Sequence, residues 1–101
     1  MENQREMDTT AHMRAEHADA QMRALVDELK NAFIASPKVQ AALNASQSAF
    51  EVYRARQVDL VSVCNDGTIA PLLRDTAYCQ VTEQREDTLR KFLIDAKPDL
   101  A

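Results

Sequence analysis

Two histidines, two cysteines, a group of carboxylates between Asp66 and Asp87 and two arginines beside apolar positions are the side chains with chemistry to offer. A pair of helical metal ligands needs a spacing of three or four, so that both side chains share a face. His12 and His17 miss that spacing, and no His-Glu-x-x-His pattern surrounds them. We read them as solvated, and expect no metal and no cofactor. Cys64 and Cys79 form neither a Cys-x-x-Cys redox pair nor a zinc pattern. Two readings stay open for them. A disulfide would close a loop of about 15 residues and contribute roughly 3 kcal/mol. However, Cys64 ends one expected helix, while Cys79 lies roughly 12 Å into the next. The alternative is two free thiols buried as small hydrophobes. Asp66, Asp75, Glu83, Glu86 and Asp87 supply carboxylates in quantity. A catalytic pair needs a cleft that excludes water and drives the two pKa values apart. Three thin helices do not provide one, so a solvated acidic face and no enzyme is the expectation. Arg54 and Arg85 each follow an apolar position closely and are placed to reach an acid on a neighbouring helix. Taken alone, each reads as a snorkelling surface arginine.

The elements that must position these residues are helices. The chain has 101 residues, 46% hydrophobic and 28% charged, with one glycine and three prolines. Strand folds need a turn about every ten residues, and turns draw on Gly, Pro and Asn. Alanine, glutamate, glutamine, arginine and leucine favour helix instead. The expectation is an all-α fold, a small three-helix bundle or helical hairpin, with helices at about 11–35, 37–64 and 71–96. Residues 1–10 are read as a flexible start, 11–97 as a single helical domain and 98–101 as a tail.

In the first helix Met22, Leu25, Val26, Leu29, Ala32 and Phe33 repeat at three- and four-residue steps, with Ala15 and Ala18 on the same side. Ser36-Pro37 stops it and starts the next, with Ser36 as N-cap and Pro37 in the first turn. In the second helix Val39, Leu43, Ser46, Phe50, Tyr53, Gln57, Leu60 and Cys64 form a heptad seam. Tyr53 should bury its ring at the seam's edge, with its hydroxyl reaching a partner. Gly67 then sits where a helix C-terminus wants a left-handed residue, and Pro71 opens the third helix. Ile69, between them, should pack back or meet a partner. The third helix places Leu72, Leu73, Thr76, Cys79, Thr82, Glu83, Leu89, Phe92 and Leu93 on its apolar side. Its middle, Gln80 to Asp87, is polar, so it packs weakly or uses a buried polar network. Lys97-Pro98 should end it.

Several functions are excluded by composition. A net charge of −4 lacks the basic face of a nucleic-acid binder. No run approaches the roughly 20 apolar residues of a membrane span. Met1 to Ala20 has no apolar signal-peptide core. One glycine leaves no glycine-rich phosphate loop.

Three pieces in order carry a resemblance. The first is Leu43, Gln47, Phe50, Tyr53 and Arg54. The second is Gly67, Thr68 and Ile69. The third is Cys79, Thr82, Arg85 and Leu89. Together they resemble the lysozyme inhibitor LprI-like domain family of small, secreted or periplasmic bacterial helical proteins. Asp19 and Met22 match an upstream Asp-x-x-Leu pattern more weakly. The sequence departs from the family where Phe50 replaces a frequent Trp, and where Val58 stands near a frequent Cys. The resemblance implies an oxidising compartment, which favours the Cys64–Cys79 disulfide. It also implies a periplasmic or secreted location with the signal peptide removed, against a cytoplasmic alternative.

The implied function is a non-enzymatic domain that binds a protein, here a lysozyme-type muramidase. A chain of charge −4 would be steered to such basic hydrolases. Asp66, Gly67, Thr68 and Ile69 are the candidate partner-binding loop; as a bare helix connection the same loop needs only its glycine cap. Two other readings remain. One is a structural or interaction module that is a monomer or weak homodimer through the heptad seam. The other is a cytosolic adaptor or immunity-type protein with free thiols.

Overall fold

The computed structural model describes residues 3–65 and 67–100. It consists of three long helices: α1 (Asn3–Ala32), α2 (Pro37–Cys64) and α3 (Ala70–Leu100). No strand occurs among the described residues. The all-α expectation therefore holds, as does the span of α2.

α1 starts eight residues before the expected position, at Asn3 rather than at 11. Its first turns hold no Gly or Pro, and local side-chain bonds support them. Gln4 Nε2 donates to Asp8 Oδ1 at 2.9 Å and Thr9 Oγ1 donates to the Arg5 carbonyl at 2.9 Å. Extending an existing helix costs little once the amphipathic part is anchored. α3 likewise runs past Lys97-Pro98 to Leu100. A proline in the last turn removes one bond, to the Ile94 carbonyl, which water can replace.

The α1–α2 turn is tight. Ser36 N donates to the Phe33 carbonyl at 2.9 Å, and Val39 N donates to Ser36 Oγ at 3.3 Å, so the expected N-cap is present. Gln40 adds a bond that the pattern did not announce. Its Nε2 donates to the Lys30 and Phe33 carbonyls at 2.8 and 2.9 Å, capping the end of α1 from α2. At the other end Asn65 closes α2 in an extended conformation, its amide bonded to the Val61 carbonyl at 3.0 Å. Gly67 turns the chain at φ +90°, two residues past the Asn65 cap rather than one.

α1 and α3 pack along their lengths, α2 covers α3 over a shorter stretch, and α1 and α2 approach least. The molecule measures 54 × 23 × 15 Å with a radius of gyration of 16.4 Å. A compact chain of this size would have about 13 Å. The apolar interior is split. Met22, Leu25, Val26, Leu29, Leu89 and Leu93 form one cluster, flanked by Phe33, Leu43 and Phe50. Ala15, Ala18 and Cys79 form another, beside Tyr78. Asp19 and Thr82, both buried, lie between them in the chain's own order.

The expected disulfide is absent, and both cysteines are free thiols. Cys64 is exposed at the end of α2. Cys79 is buried against α1, with Sγ 3.9 Å from the Arg14 carbonyl oxygen. Cys79 sits nine residues, about 13 Å, into α3. A bridge would need the loop to climb that distance and pass around the helix. Burial, with the Glu83 carboxylate beside it, also pushes the Cys79 thiol up. A thiol-reactive dye should therefore label Cys64 at once in the native protein and Cys79 only after unfolding. Two thiols labelled at equal rates would contradict this placement.

Candidate functional site

Two regions gather the residues marked by sequence. The first is the connection between α2 and α3. Gly67 and Thr68 are exposed, and Ile69 is 46% exposed. The Ala70 amide bonds to the Gly67 carbonyl at 3.3 Å and the Leu73 amide to the Ile69 carbonyl at 3.1 Å, which ties the turn to the start of α3. A Cβ on Gly67 would meet nothing within 4 Å, so only its backbone angle demands glycine. Asp66, the fourth loop candidate, lies outside the described residues.

The second region is a polar layer between the two apolar clusters. Arg54, from α2, reaches through to α1. Its Nη1 donates to Asp19 Oδ1 at 2.8 Å and to Thr82 Oγ1 at 3.1 Å. Tyr78 OH donates to the same Asp19 oxygen at 3.1 Å, and Arg23 pairs with the other carboxylate oxygen. The Arg54 guanidinium also lies 4.1 Å from the Tyr78 ring centroid and 5.2 Å from that of Phe50. Cation–ring attraction strengthens when water is excluded, as it is here. One helical turn along, Arg85 Nε donates to Gln47 Oε1 at 3.2 Å and Nη2 to Ser46 Oγ at 3.0 Å. The Arg85 guanidinium also lies 5.4 Å from the Phe50 ring centroid. Gln47 Nε2 contacts Met22 Sδ at 3.6 Å. No buried side-chain polar atom is left without a partner among the described residues.

Of the residues that carry the resemblance on α2 and α3, all but Tyr53 pack inward. Leu89 and Thr82 are fully buried. Leu43, Gln47, Phe50, Arg54 and Arg85 are half-buried around them. Tyr53 is the exception. It is 49% exposed on the outer side of α2, and Tyr78 is the tyrosine whose hydroxyl reaches a partner. The reading of Arg54 as a surface arginine is corrected: its side chain is only 12% exposed and binds an acid on α1. Arg85 also turns inward, but onto neutral oxygens rather than a carboxylate.

The heptad seam of α2 is corrected in phase. The inward stripe is Gln40, Leu43, Gln47, Phe50, Arg54, Gln57 and Val61, all half-buried, while Ser46, Tyr53, Leu60 and Cys64 are exposed. Both stripes step by threes and fours. An apolar count favours the one with Tyr53 and Leu60, because it treats Gln47 and Arg54 as surface residues. Gln40 escapes an apolar count for the same reason, and Tyr78 escapes it because its role is its hydroxyl bond to Asp19 on another helix. Asp19 carried a usable signal, since it interrupts the apolar stripe between Ala18 and Met22.

His12 is exposed as expected, yet it joins two helices. Its Nε2 lies 2.6 Å from Glu16 Oε1 and its Nδ1 lies 3.5 Å from Asp75 Oδ1. No group of three metal-ligating side chains converges among the described residues.

The network is a clamp, and its electrostatics follow from its geometry. Burial alone would raise the Asp19 carboxyl. The Arg54 and Tyr78 hydrogen bonds, with the charges of Arg54 and Arg23, outweigh that and hold it below its ordinary value. Burial and the Asp19 bond keep the Tyr78 phenol above its ordinary value, as a donor. Because the folded pKa of Asp19 is depressed, its stabilisation is complete above the unfolded value of about 3.9 and is lost as pH falls through the folded one. Denaturant midpoints taken between about pH 7 and pH 2 should fall with acid, and fall less steeply in Asp19→Asn. Glu86 tilts the other way, since burial raises its carboxyl and its contribution weakens as pH rises. The difference between the two proteins isolates Asp19. Parallel acid slopes would show that the carboxylate is not held by the clamp.

The model of one protein family, described as Lysozyme inhibitor LprI, matches residues 1–89 of the chain. No curated protein matches, and no solved structure matches. The match spans all of the network and the whole α2–α3 connection.

Proposed function

The chain belongs to the Lysozyme inhibitor LprI family, and from that premise we propose that it is a non-enzymatic protein-binding domain that inhibits lysozyme-type muramidases in the bacterial envelope. The observation that carries this reading is the family match across 89 of 101 residues. Long-range attraction supports it: a chain of net charge −4 approaches a basic hydrolase faster than a neutral one would. The geometry adds a tip. Two helices of 28 and 31 residues support a short connection whose exposed residues are Gly67, Thr68 and Ile69. We assign the contact to this connection, with Asp66, Gly67, Thr68 and Ile69 entering the enzyme's cleft. The half-exposed Ile69 supplies apolar area and the Thr68 hydroxyl a hydrogen-bond group. The clamp of Asp19, Arg54 and Thr82 holds the supporting helices rigid, which lowers the entropy lost on binding. A periplasmic or secreted location accompanies this reading. It does not draw on a disulfide. No helix among the described residues is long and apolar enough to cross a membrane.

The test is the clearing of a bacterial cell-wall suspension by lysozyme. Micromolar protein should slow the clearing, and Ile69→Asp should restore it while leaving the helical signal intact. An unchanged rate at micromolar protein would overturn the assignment.

A second reading is favoured by one observation. The outer side of α2 exposes Val52, Tyr53, Leu60 and Val63, at 60%, 49%, 57% and 84%. That is a wide apolar stretch for a surface helix. A helical interaction module docking through this side would show a complex by light scattering and no effect on lysozyme.

A further inference from the structure

At the end of the molecule away from Gly67, the three helices leave an open groove of about 620 Å³. Phe33 just past α1, Val39 and Leu43 from α2 and Phe92 from α3 line it, together with the fully buried Leu89. Phe92 is 55% exposed, so this end of the interior is not closed by the described residues. Apolar surface held open to water carries a cost proportional to its area. The polar groups at the edge are not evenly balanced. Arg85 and Lys38 stand against one carboxylate, Asp95. Arg85 spends Nε and Nη2 on the neutral oxygens of Gln47 and Ser46. Among the described residues, neither Arg85 nor Lys38 takes part in an ion pair. The remaining N–H groups of the Arg85 fork can therefore meet an anion from the groove side.

We propose that this groove binds a single-chain amphiphile with an anionic head, the chain lying among Phe33, Leu43 and Phe92 and the head meeting Arg85 and Lys38. The volume falls within the range of about 300–1,000 Å³ usual for small-molecule sites. An acyl chain covers the apolar walls and displaces water from them. A carboxylate or phosphate supplies the counter-charge that Arg85 lacks, at a partly dehydrated position where such a bond is strongest. Burial pulls the Arg85 guanidinium below its ordinary value, the direction expected of a cation short of an anionic partner. This site is at the opposite end from the proposed muramidase contact and does not rest on that reading.

The experiment uses the full chain and a dansyl-labelled undecanoate as reporter, displaced by competitors kept below their micelle concentrations. Dodecanoate should displace it with one site per chain. Dodecanol and dodecyltrimethylammonium should be about tenfold weaker, the loss expected when a charged hydrogen bond is absent. Arg85→Gln should weaken dodecanoate about tenfold and leave dodecanol unchanged. Lys38→Gln, at an exposed position, should weaken dodecanoate in the same direction. Ala42→Phe, also exposed and on the groove wall, should remove binding of every chain. Circular dichroism verifies that each variant is folded. Lysophosphatidylglycerol tests the source: binding it as well as dodecanoate assigns a membrane-derived amphiphile, and binding dodecanoate alone assigns a free fatty acid. Equal affinity for the three dodecyl compounds overturns the proposal, as does unchanged dodecanoate affinity in Lys38→Gln and folded Arg85→Gln. So does a reporter displaced only by chain self-association.

Discussion

Arg54→Ala should lower the unfolding free energy by about 3 kcal/mol or more, the scale for breaking a buried ion pair by removing one partner. The reason is what remains behind. Asp19 is 8% exposed at its side chain and would keep one donor, Tyr78, and one surface partner, Arg23, which is itself 75% exposed. Thr82, fully buried, would lose the donor to its hydroxyl. Arg23 partly compensates the carboxylate, which places the loss at the lower end of the roughly 3–5 kcal/mol range. For a chain near 100 residues such a loss lowers the melting temperature by roughly 12 °C. That is a large share of the roughly 5–15 kcal/mol that small domains possess. The mechanism can be separated from lost packing with a double-mutant cycle. Arg54→Met together with Asp19→Leu should recover most of the stability, because no charge is then left stranded. If Arg54→Ala costs less than about 1 kcal/mol at neutral pH, the arginine behaves as an exposed one and the clamp is not a stabilising element.

Leu89→Ala should cost about 3 kcal/mol, from the removed methyl groups and the cavity they leave. Leu89 is 0% exposed and sits in the larger apolar cluster with Met22, Leu25, Val26, Leu29 and Leu93. The groove beside it lets neighbours relax, which argues for the middle of the roughly 2–5 kcal/mol range. Leu60→Ala is the contrast. Leu60 is 57% exposed on α2 and should change stability by about 0.5 kcal/mol at most. The two large losses also differ in pH dependence. The Arg54→Ala loss should shrink in acid, once Asp19 is protonated and no longer needs its partner. The Leu89→Ala loss should persist, because no titrating group is involved. Losses that shrink together would mean that acid acts on the whole fold and not through Asp19.

Much of the fold was legible. Ser36-Pro37 marked the end of one helix and the cap of the next, and Ser36 does cap. Gly67 marked the turn, and it alone among the described residues holds a positive φ. The buried stripe of α1 was readable because Met22, Leu25, Val26 and Leu29 are all apolar and all face inward. α2 was misphased because its inward stripe is half polar. Periodicity counts apolar residues, and Gln47 and Arg54 pack inward only because α1 and α3 supply partners for them: the Met22 sulfur and the Arg85 Nε donor for Gln47, the Asp19 and Thr82 oxygens for Arg54.

The sequence by itself determined the all-α class, the two interior helix breaks and the one glycine turn. Those follow from local physics: propensity, capping, and the special backbone angles of Gly and Pro. Only the tertiary structure decided which face of α2 points inward, that Tyr78 rather than Tyr53 joins the polar layer, and that Cys64 and Cys79 face apart. These depend on where a second and third helix place their donors, acceptors and apolar walls. A buried arginine is stable only where an acid from another helix is already waiting, and no spacing along one helix records that.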